Sequence, residues 1–233
     1  GFILATAGSA VGIGNLVAFP VVATKYGGGA FLVIYIAFVV LICFPVMLAE
    51  IAMGRAAKKN PVGAFYTLSG ESKFWSRLGG LAILTPFMIS VFYSVITIWI
   101  MMYIVQSAIG NLDRLAEPAA FGEIVASPML FVYFILTMSI VFTILAGGVK
   151  DGIEKAAKIL MPTLMIMLIA LVLFVLTLDN AVEGLRYYLI PDFSRIDSTV
   201  LRSALNQAFF SLSLGMGILI TYGSYFNKEE KIV

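Results

Sequence analysis

The sequence predicts an all-α membrane protein with six transmembrane helices, of which the first and the sixth are discontinuous. Three observations lead to this class. Of the 233 residues, 61% are hydrophobic and only 12% are charged, whereas soluble domains carry roughly 25% charged residues. Six stretches free of charge reach about 20 residues, the length at which a helix crosses a hydrocarbon core. Glycine and serine residues interrupt the first and the last of these stretches.

The charge-free stretches set the predicted spans. The predicted spans, built around these stretches, cover residues 1–24, 26–54, 75–110, 124–148, 153–178 and 200–227. Because the first and the sixth span are both interrupted, the pattern suggests two repeats of five helices each. Residues 1–180 would form the first repeat, and residues 181–233 an outer loop with the first helix of a second repeat. The third stretch is the longest, so its helix must tilt strongly or extend beyond the bilayer.

Loop charge predicts the orientation of the spans. Between the second span and Leu78 the chain carries five basic residues against one acid, and the loop after the third span carries three acids against one arginine. Positively charged loops stay in the cytoplasm. The beginning of the chain and its end at Lys228–Val233 are therefore predicted to be cytoplasmic, with Asp179–Arg202 as a longer outer loop. The predicted location is the cell (inner or plasma) membrane, which the protein crosses several times.

Composition excludes several functions. A net charge of +2 is too small to suggest nucleic acid as a partner, and the chain has no histidine, the commonest general base and metal ligand. No pair of carboxylates lies inside the predicted spans, so we expect neither an enzyme nor a bound cofactor. Cys43 is the single cysteine and is interpreted as a small core residue. No signal peptide is visible, and a chain that starts at Gly1 without methionine is expected to begin partway into a longer protein.

The first span contains many residues that disfavour a helix, since GSAVGIGNLVAFP runs from Gly8 to Pro20. One interpretation is close packing, because Gly8 and Gly12 form a GxxxG pattern that lets membrane helices approach. The other is a broken helix, because unwound backbone at membrane depth is tolerated only where it is buried in protein or lines a cavity. A break would offer oxygen ligands suited to Na⁺, namely the carbonyls of Ala10 and Val11 and the side chain of Asn15.

The sixth span is interrupted in the same way. Within FFSLSLGMGILITYGSY, four small residues fall near the middle of an apolar run: Ser211, Ser213, Gly215 and Gly217. Glycine-interrupted spans at corresponding positions of two repeats indicate a transporter binding site near the bilayer midplane. The second break therefore favours the binding-site interpretation of the first.

Several motifs together resemble the neurotransmitter:sodium symporter family, and in particular its bacterial amino-acid transporters. They are AGSAVGIGNLVAFP, YGGGAF, AEIAMGR, KDGIEKAAKILMPTL and FFSLSLGMGILITYGSY, and the resemblance covers essentially the whole chain. It implies a leucine-transporter-type inverted-repeat fold truncated after helix six, because family members have roughly twice as many spans. It also implies a sodium-coupled symporter that imports apolar or aromatic L-amino acids by alternating access, with the missing C-terminal half as a required partner.

The resemblance implies two sodium sites and a possible chloride site. One sodium ion would be held by Ala10, Asn15 and Ser211. A second would use Gly8 and Val11, together with ligands on a later helix. Three chloride-site positions of the family are matched by Tyr35, Gln207 and Ser211. The fourth lies beyond Val233, so chloride dependence stays open.

The resemblance also implies a substrate site. Tyr93 would bond the carboxylate of the amino acid, and Phe210 would cover the bound molecule. The full implied set is Ser9, Ala10, Ile13, Gly14, Ile89, Tyr93, Phe210, Ser211, Ser213 and Met216. Taken singly, each apolar or aromatic member could equally be ordinary core, and either serine could bond a carbonyl of its own helix.

Four positions qualify this reading. Glu50 ends an apolar run and could be a boundary residue that reaches headgroup water; the resemblance implies instead that it bonds backbone amides at the break of the sixth span. Ala18 stands where many members carry the arginine of the outer gate, and Ser9 where the leucine transporter has an asparagine. Gly12 stands where monoamine transporters carry an aspartate, which predicts a substrate with its own carboxylate.

A channel or pore subunit is the alternative function. Its broken helices would line a continuous water path. Saturable uptake stimulated by Na⁺ would distinguish the symporter, because a channel shows no stoichiometric coupling.

Overall fold

The computed structural model describes residue 8 and residues 10–226, and each regular element in that part of the chain is helical. The predicted all-α class is thereby confirmed. The chain divides into two compact units, one formed by residues 1–83 with 157–233 and the other by residues 84–156. Both predicted helix breaks fall in the first unit.

The chain begins with four helices, which are α1 (Phe19–Lys25), α2 (Gly29–Phe38), α3 (Phe44–Ala57) and α4 (Pro61–Leu68). A π-helical turn over Gly14–Ala18 leads into α1, and a second over Val39–Cys43 joins α2 to α3. Asn60 begins α4, because its side chain accepts a hydrogen bond from the N–H of Gly63 at 2.9 Å.

Five helices follow, which are α5 (Lys73–Ala108), α6 (Leu112–Leu115), α7 (Ala120–Ala126), α8 (Leu130–Ala146) and α9 (Lys155–Val175). The longest, α5, has 36 residues and contains Pro86; at 1.5 Å per residue it is about 54 Å long. The chain bends by 77° between α7 and α8. A π-helical segment, Gly148–Glu154, leads into α9.

The last three helices are α10 (Ala181–Leu189), α11 (Ser198–Ser211) and α12 (Ile218–Ser224). Helix α10 lies within the segment that the sequence predicts as an outer loop. It forms because apolar Val182, Leu185 and Leu189 recur at helical spacing and give the segment one apolar face. Asp197 begins α11 by accepting hydrogen bonds from two backbone N–H groups of the first turn, each at 2.8 Å.

Both predicted discontinuities are confirmed. Val11 and Gly12 are not helical, and residues 212–217 separate α11 from α12. Three residues of the second break have positive φ: Ser213 at 54°, Gly215 at 76° and Gly217 at 67°. Glycine adopts such angles without steric cost, whereas serine rarely does. The broken backbone is therefore built mainly from glycine, with one strained serine.

Three helical stretches among the described residues are long and apolar enough to cross a membrane, namely Gly29–Ala57, Lys73–Ala108 and Asp151–Val175. The bent pair α7 and α8 makes a fourth if it is counted as one span. In the part of the chain that the structure describes, no single helix covers the first or the sixth predicted span, because Val11–Gly12 interrupts the one and residues 212–217 interrupt the other. This arrangement fits a multi-pass membrane protein.

Close backbone contact holds α12 against α3. A Cβ atom on Gly54 would overlap the carbonyl oxygen of Ile220, and one on Gly223 would overlap the carbonyl oxygen of Ile51. Glycine at both positions therefore allows the two helices to approach closely. The adjoining core cluster includes Cys43, which is fully buried.

Candidate substrate and sodium site

The break in the first span brings two predicted sodium ligands together. The side-chain amide of Asn15 donates from Nδ2 to the carbonyl oxygen of Ala10 at 2.8 Å. The carbonyl oxygen of Gly12 accepts from the N–H groups of Asn15 and Leu16, at 3.0 and 3.1 Å. Asn15 thus bridges the non-helical residues, and its Oδ1 supplies an uncharged oxygen of the type that hard cations prefer.

The break in the sixth span presents two buried hydroxyls. Ser211 ends α11 and is 5% exposed, and Ser213 in the break is 7% exposed. Met216 follows and is half-buried. Gly217 lies against α4, since a Cβ atom there would be 2.5 Å from Cγ of Pro61. The break therefore places polar groups inside the protein and is tightly packed where it ends at Gly217.

The two broken spans meet at Gly14, two residues after the first break. The buried amide of Gln207 donates from Nε2 to the carbonyl oxygen of Gly14 at 3.2 Å and to Oγ of Ser211 at 3.3 Å. On the other side, a Cβ atom on Gly14 would overlap the ring of Phe210. Both α11 side chains therefore contact one glycine of the first span, which fixes the separation of the two broken helices.

Glu50 of α3 contacts the break of the sixth span directly. It is 8% exposed, and its Oε1 accepts a hydrogen bond from the N–H of Gly215 at 2.7 Å. Its other oxygen, Oε2, is buried and has no hydrogen-bond partner among the described residues. Because a buried carboxyl group is costly without partners, the bond to Gly215 is a specific link between α3 and the unwound backbone.

Of the three residues predicted for a chloride site, two contact each other. Gln207 and Ser211 are hydrogen-bonded to each other. Tyr35 packs edge-on against Phe19, with ring centroids 4.9 Å apart. Its hydroxyl makes no hydrogen bond in the part of the chain that the structure describes. A chloride role for these residues stays a prediction.

The remaining predicted residues of the first span are placed as follows. Gly8 lies beside α9, with Cβ of Ala157 and Cγ of Met161 each 3.6 Å from the position of an added Cβ atom. Ile13 is half-buried. Ser9 lies outside the described residues.

Ile89 and Tyr93 lie in the second unit, on α5. They are four residues apart, so they share one face of the helix, and both are half-buried. The Tyr93 ring packs edge-on against Phe92, with ring centroids 6.0 Å apart. Their part in the substrate site stays a prediction.

The second unit also has a cavity of about 210 Å³ where the end of α5 meets α7, and it contains no predicted site residue. Arg114 and Glu123 line it and form an ion pair at 2.7 Å. The hydrogen bond and charge of Glu123 raise the pKa of the Arg114 guanidinium above its ordinary value. Arg114 and Glu123 are paired with each other and lie between the third and fourth predicted spans.

Sequence reasoning missed two contacts of the site. Pro61 was not assigned to it, although the Asn-Pro pair signals a helix start close to the break. Gln207 was named for chloride alone, and its bond to Gly14 joins residues 193 positions apart. No local pattern could have predicted the second contact.

Comparisons with known proteins agree with this geometry. The model of the Sodium:neurotransmitter symporter family matches residues 1–116 and 122–233. YhdH of Bacillus subtilis, an uncharacterized sodium-dependent transporter, is 37% identical over all of this chain, which covers 52% of that relative. The human sodium- and chloride-dependent transporter XTRP3 is 28% identical over 96% of this chain and 43% of the relative.

A solved structure is similar over nearly the whole chain. It is the crystal structure of MhsT in complex with L-phenylalanine, with a TM-score of 0.85 and 44% sequence identity, over 98% of this chain and 53% of that one. This confirms the predicted fold. The chain spans about half the length of these relatives. The matching family consists of transporters, which confirms the expectation that the protein is not an enzyme. The chain belongs to the sodium:neurotransmitter symporter family.

Proposed function

We propose that this chain forms the first half of a sodium-coupled symporter that imports apolar or aromatic L-amino acids by alternating access. The observation that carries the proposal is the meeting of the two broken helices at Gly14, where Gln207 and Phe210 contact it. Unwound backbone at membrane depth is tolerated where it binds something. Two broken spans that contact each other beside their unwound segments would supply a single site from both repeats.

The coupling ion is Na⁺. Asn15 and the carbonyl of Ala10 lie together at the first break, and the buried hydroxyl of Ser211 lies at the end of α11. These are neutral oxygens, so they would hold a monovalent cation without placing a fixed charge in the membrane. The second sodium ion would use Gly8 and Val11 with ligands from the missing half. Chloride is a further candidate at Tyr35, Gln207 and Ser211.

The substrate class follows from charge and shape. Gly12 provides no carboxylate, so the substrate brings its own, which would contact the first Na⁺ and the hydroxyl of Tyr93. This shared contact would couple the two fluxes. As the family resemblance implies, Ile13, Ile89, Phe210 and Met216 would form the apolar walls of the pocket. Because Met216 is unbranched and can fold aside, the pocket admits aromatic as well as branched side chains. MhsT, whose structure contains L-phenylalanine, supports this choice.

Membrane placement belongs to the same proposal. The beginning of the chain is cytoplasmic, and the partners are the lipid bilayer, sodium ions, an amino acid and the C-terminal half. The outer gate differs from that of members with arginine at the position of Ala18. Uptake above the empty-vesicle background by residues 1–233 alone would contradict the need for the second half.

The test is uptake by the full-length protein in proteoliposomes. Labelled L-phenylalanine should accumulate when Na⁺ is placed outside, and accumulation should saturate. Tryptophan, tyrosine and leucine should compete, because one methylene in such a pocket is worth only about 1–3 kcal/mol. Glutamate or dopamine competing better than these amino acids would contradict the substrate class. Flux that neither saturates nor depends on Na⁺ would indicate a pore instead.

A further inference from the structure

The short helix α10 is bonded to the outer end of the first span by two adjacent tyrosines. The hydroxyl of Tyr187 donates to the carbonyl oxygen of Thr24 at 2.7 Å, and the hydroxyl of Tyr188 donates to the carbonyl oxygen of Pro20 at 3.0 Å. The hydroxyls of Tyr188 and Thr24 are also 2.9 Å apart. Both tyrosines therefore bind the seven-residue helix α1, one at its start and one at its end.

The bond to Thr24 meets a backbone need. Thr24 lies in the last turn of α1, where carbonyl groups lack a partner within the helix. Tyr187 supplies the missing donor. The bond to Pro20 is shared, because the Thr24 hydroxyl also donates to that carbonyl at 2.7 Å. Each hydroxyl carries one proton, so two of the three contacts among these groups can be made at once.

Two glycines let α10 lie directly on the turn after α1. Gly28 has a φ of 56°, and a Cβ atom there would be 2.5 Å from both the ring and the carbonyl oxygen of Tyr187. A Cβ atom on Gly29 would be 2.9 Å from the carbonyl oxygen of Tyr188. Any larger residue at either position would push α10 away and lengthen the tyrosine hydrogen bonds.

The same region holds the beginning of α11. Tyr188 packs against a core cluster that joins Ala23 of α1 and Phe31 of α2 to Val200 and Ala204 of α11. Helices α1 and α11 are thus joined at two levels. The first contact is made by Tyr188 and this cluster, beside α1. The second is the hydrogen bond from Gln207 to the carbonyl oxygen of Gly14, two residues after the first break.

We propose that Tyr187 and Tyr188 are positioning residues for transport, which fasten the outer halves of the two broken spans to each other through α10. This rests on the proposed function, because fastening these halves matters for transport only if they move around a substrate site. Neither tyrosine belongs to the substrate or sodium residues, so each acts through the placement of α1 and α11.

The test uses the full-length protein with Tyr187→Phe and Tyr188→Phe combined. This variant keeps both rings and removes both hydroxyls. The matched control is Tyr66→Phe, since the Tyr66 hydroxyl makes no hydrogen bond among the described residues. Hydrogen–deuterium exchange, measured without substrate, should become roughly tenfold faster at residues 20–28 and 181–189, the two segments that the hydroxyls join, as expected for the loss of two hydrogen bonds. The packed pair α3 and α12 should be unchanged, as should the control.

Transport supplies the second measurement. Sodium-driven uptake of L-phenylalanine by the double variant should change in maximal rate by at least about threefold, while its equilibrium affinity stays within about twofold. Unchanged exchange, or an equal rise in all helices, would overturn the fastening. Altered exchange with normal uptake would overturn the positioning role. If the unmodified protein shows no sodium-driven uptake, the proposed function fails, and the exchange data still decide whether the tyrosine hydroxyls fasten α10 to α1.

Discussion

The ring of Phe210 occupies the space that a side chain on Gly14 would need. These two residues belong to different broken spans, and the bond from Gln207 to the Gly14 carbonyl lies at the same place. Position 14, two residues after the first break, therefore requires glycine for steric reasons and not for backbone freedom. A side chain would separate the two helices that carry the predicted site.

The first prediction concerns this contact. Gly14→Ala should lower the melting temperature of the full-length protein and weaken L-phenylalanine binding, because an overpacked core costs about 1–3 kcal/mol. Adding Phe210→Ala should restore part of the stability by making room. Gly122→Ala is the control, since that position faces open space. A double variant that melts lower than Gly14→Ala alone would contradict the steric explanation.

The second prediction concerns sodium. Asn15→Leu should abolish the stimulation of L-phenylalanine binding by Na⁺, because an apolar side chain offers no oxygen to the ion. The protein should still fold. Asn111→Leu is a matched control, as it also loses a side-chain hydrogen bond, to Gln106, but lies outside the predicted site. Scintillation proximity binding over a Na⁺ series measures both, and normal stimulation in Asn15→Leu would remove this residue from the site.

The third prediction concerns Glu50. Glu50→Ala should destabilise the full-length protein by about 1–3 kcal/mol, because the N–H of Gly215 loses its acceptor. Glu50→Gln keeps a carbonyl oxygen and should lose less. Glu117→Ala, at an exposed acid, should change stability by less than about 0.5 kcal/mol. Thermal unfolding in detergent compares the three, and equal stability of Glu50→Ala and the control would exclude a supporting role.

The fourth prediction concerns the packing of α3 against α12. Gly54→Ala should destabilise the protein and slow uptake, since the added methyl group would overlap the carbonyl oxygen of Ile220. Gly80→Ala makes the same chemical change in α5 with nothing within 4 Å. It should be neutral or stabilising by up to about 1 kcal/mol, because alanine favours a helix. Melting temperatures and initial uptake rates distinguish Gly54→Ala from Gly80→Ala. Equal effects of the two substitutions would show that α3 and α12 can move apart without loss of stability or activity.

Much of this architecture could be predicted because its signals are local. Charge-free stretches mark the spans, and clustered glycine and serine mark the breaks, since both effects act within a few residues. Helix α10 was missed because it is short and carries Glu183 and Arg186, so it forms no charge-free stretch. Its apolar residues Val182, Leu185 and Leu189 recur at helical spacing but are exposed. Its contacts with α1 and with the turn after it come from Tyr187 and Tyr188 instead.

The pairings within the candidate site could not be derived from local pattern. Gln207 could bond several nearby groups, and its choice of the Gly14 carbonyl depends on how closely α11 approaches the first span. That approach is in turn set by Gly14 itself and by the packing of Phe210. Such contacts depend on the tertiary arrangement of the backbone, to which spacing along the chain gives no guide.

The burial of Cys43 has a practical consequence for following motion. It is the single cysteine in these 233 residues and is fully buried, so thiol reagents have little access to it. A cysteine introduced at an exposed position of α1 or α10 would be the reactive thiol of this part of the protein. Paired spin labels or fluorophores could then report the distance between α1 and α10 while Na⁺ and substrate are added, with native Cys43 left in place.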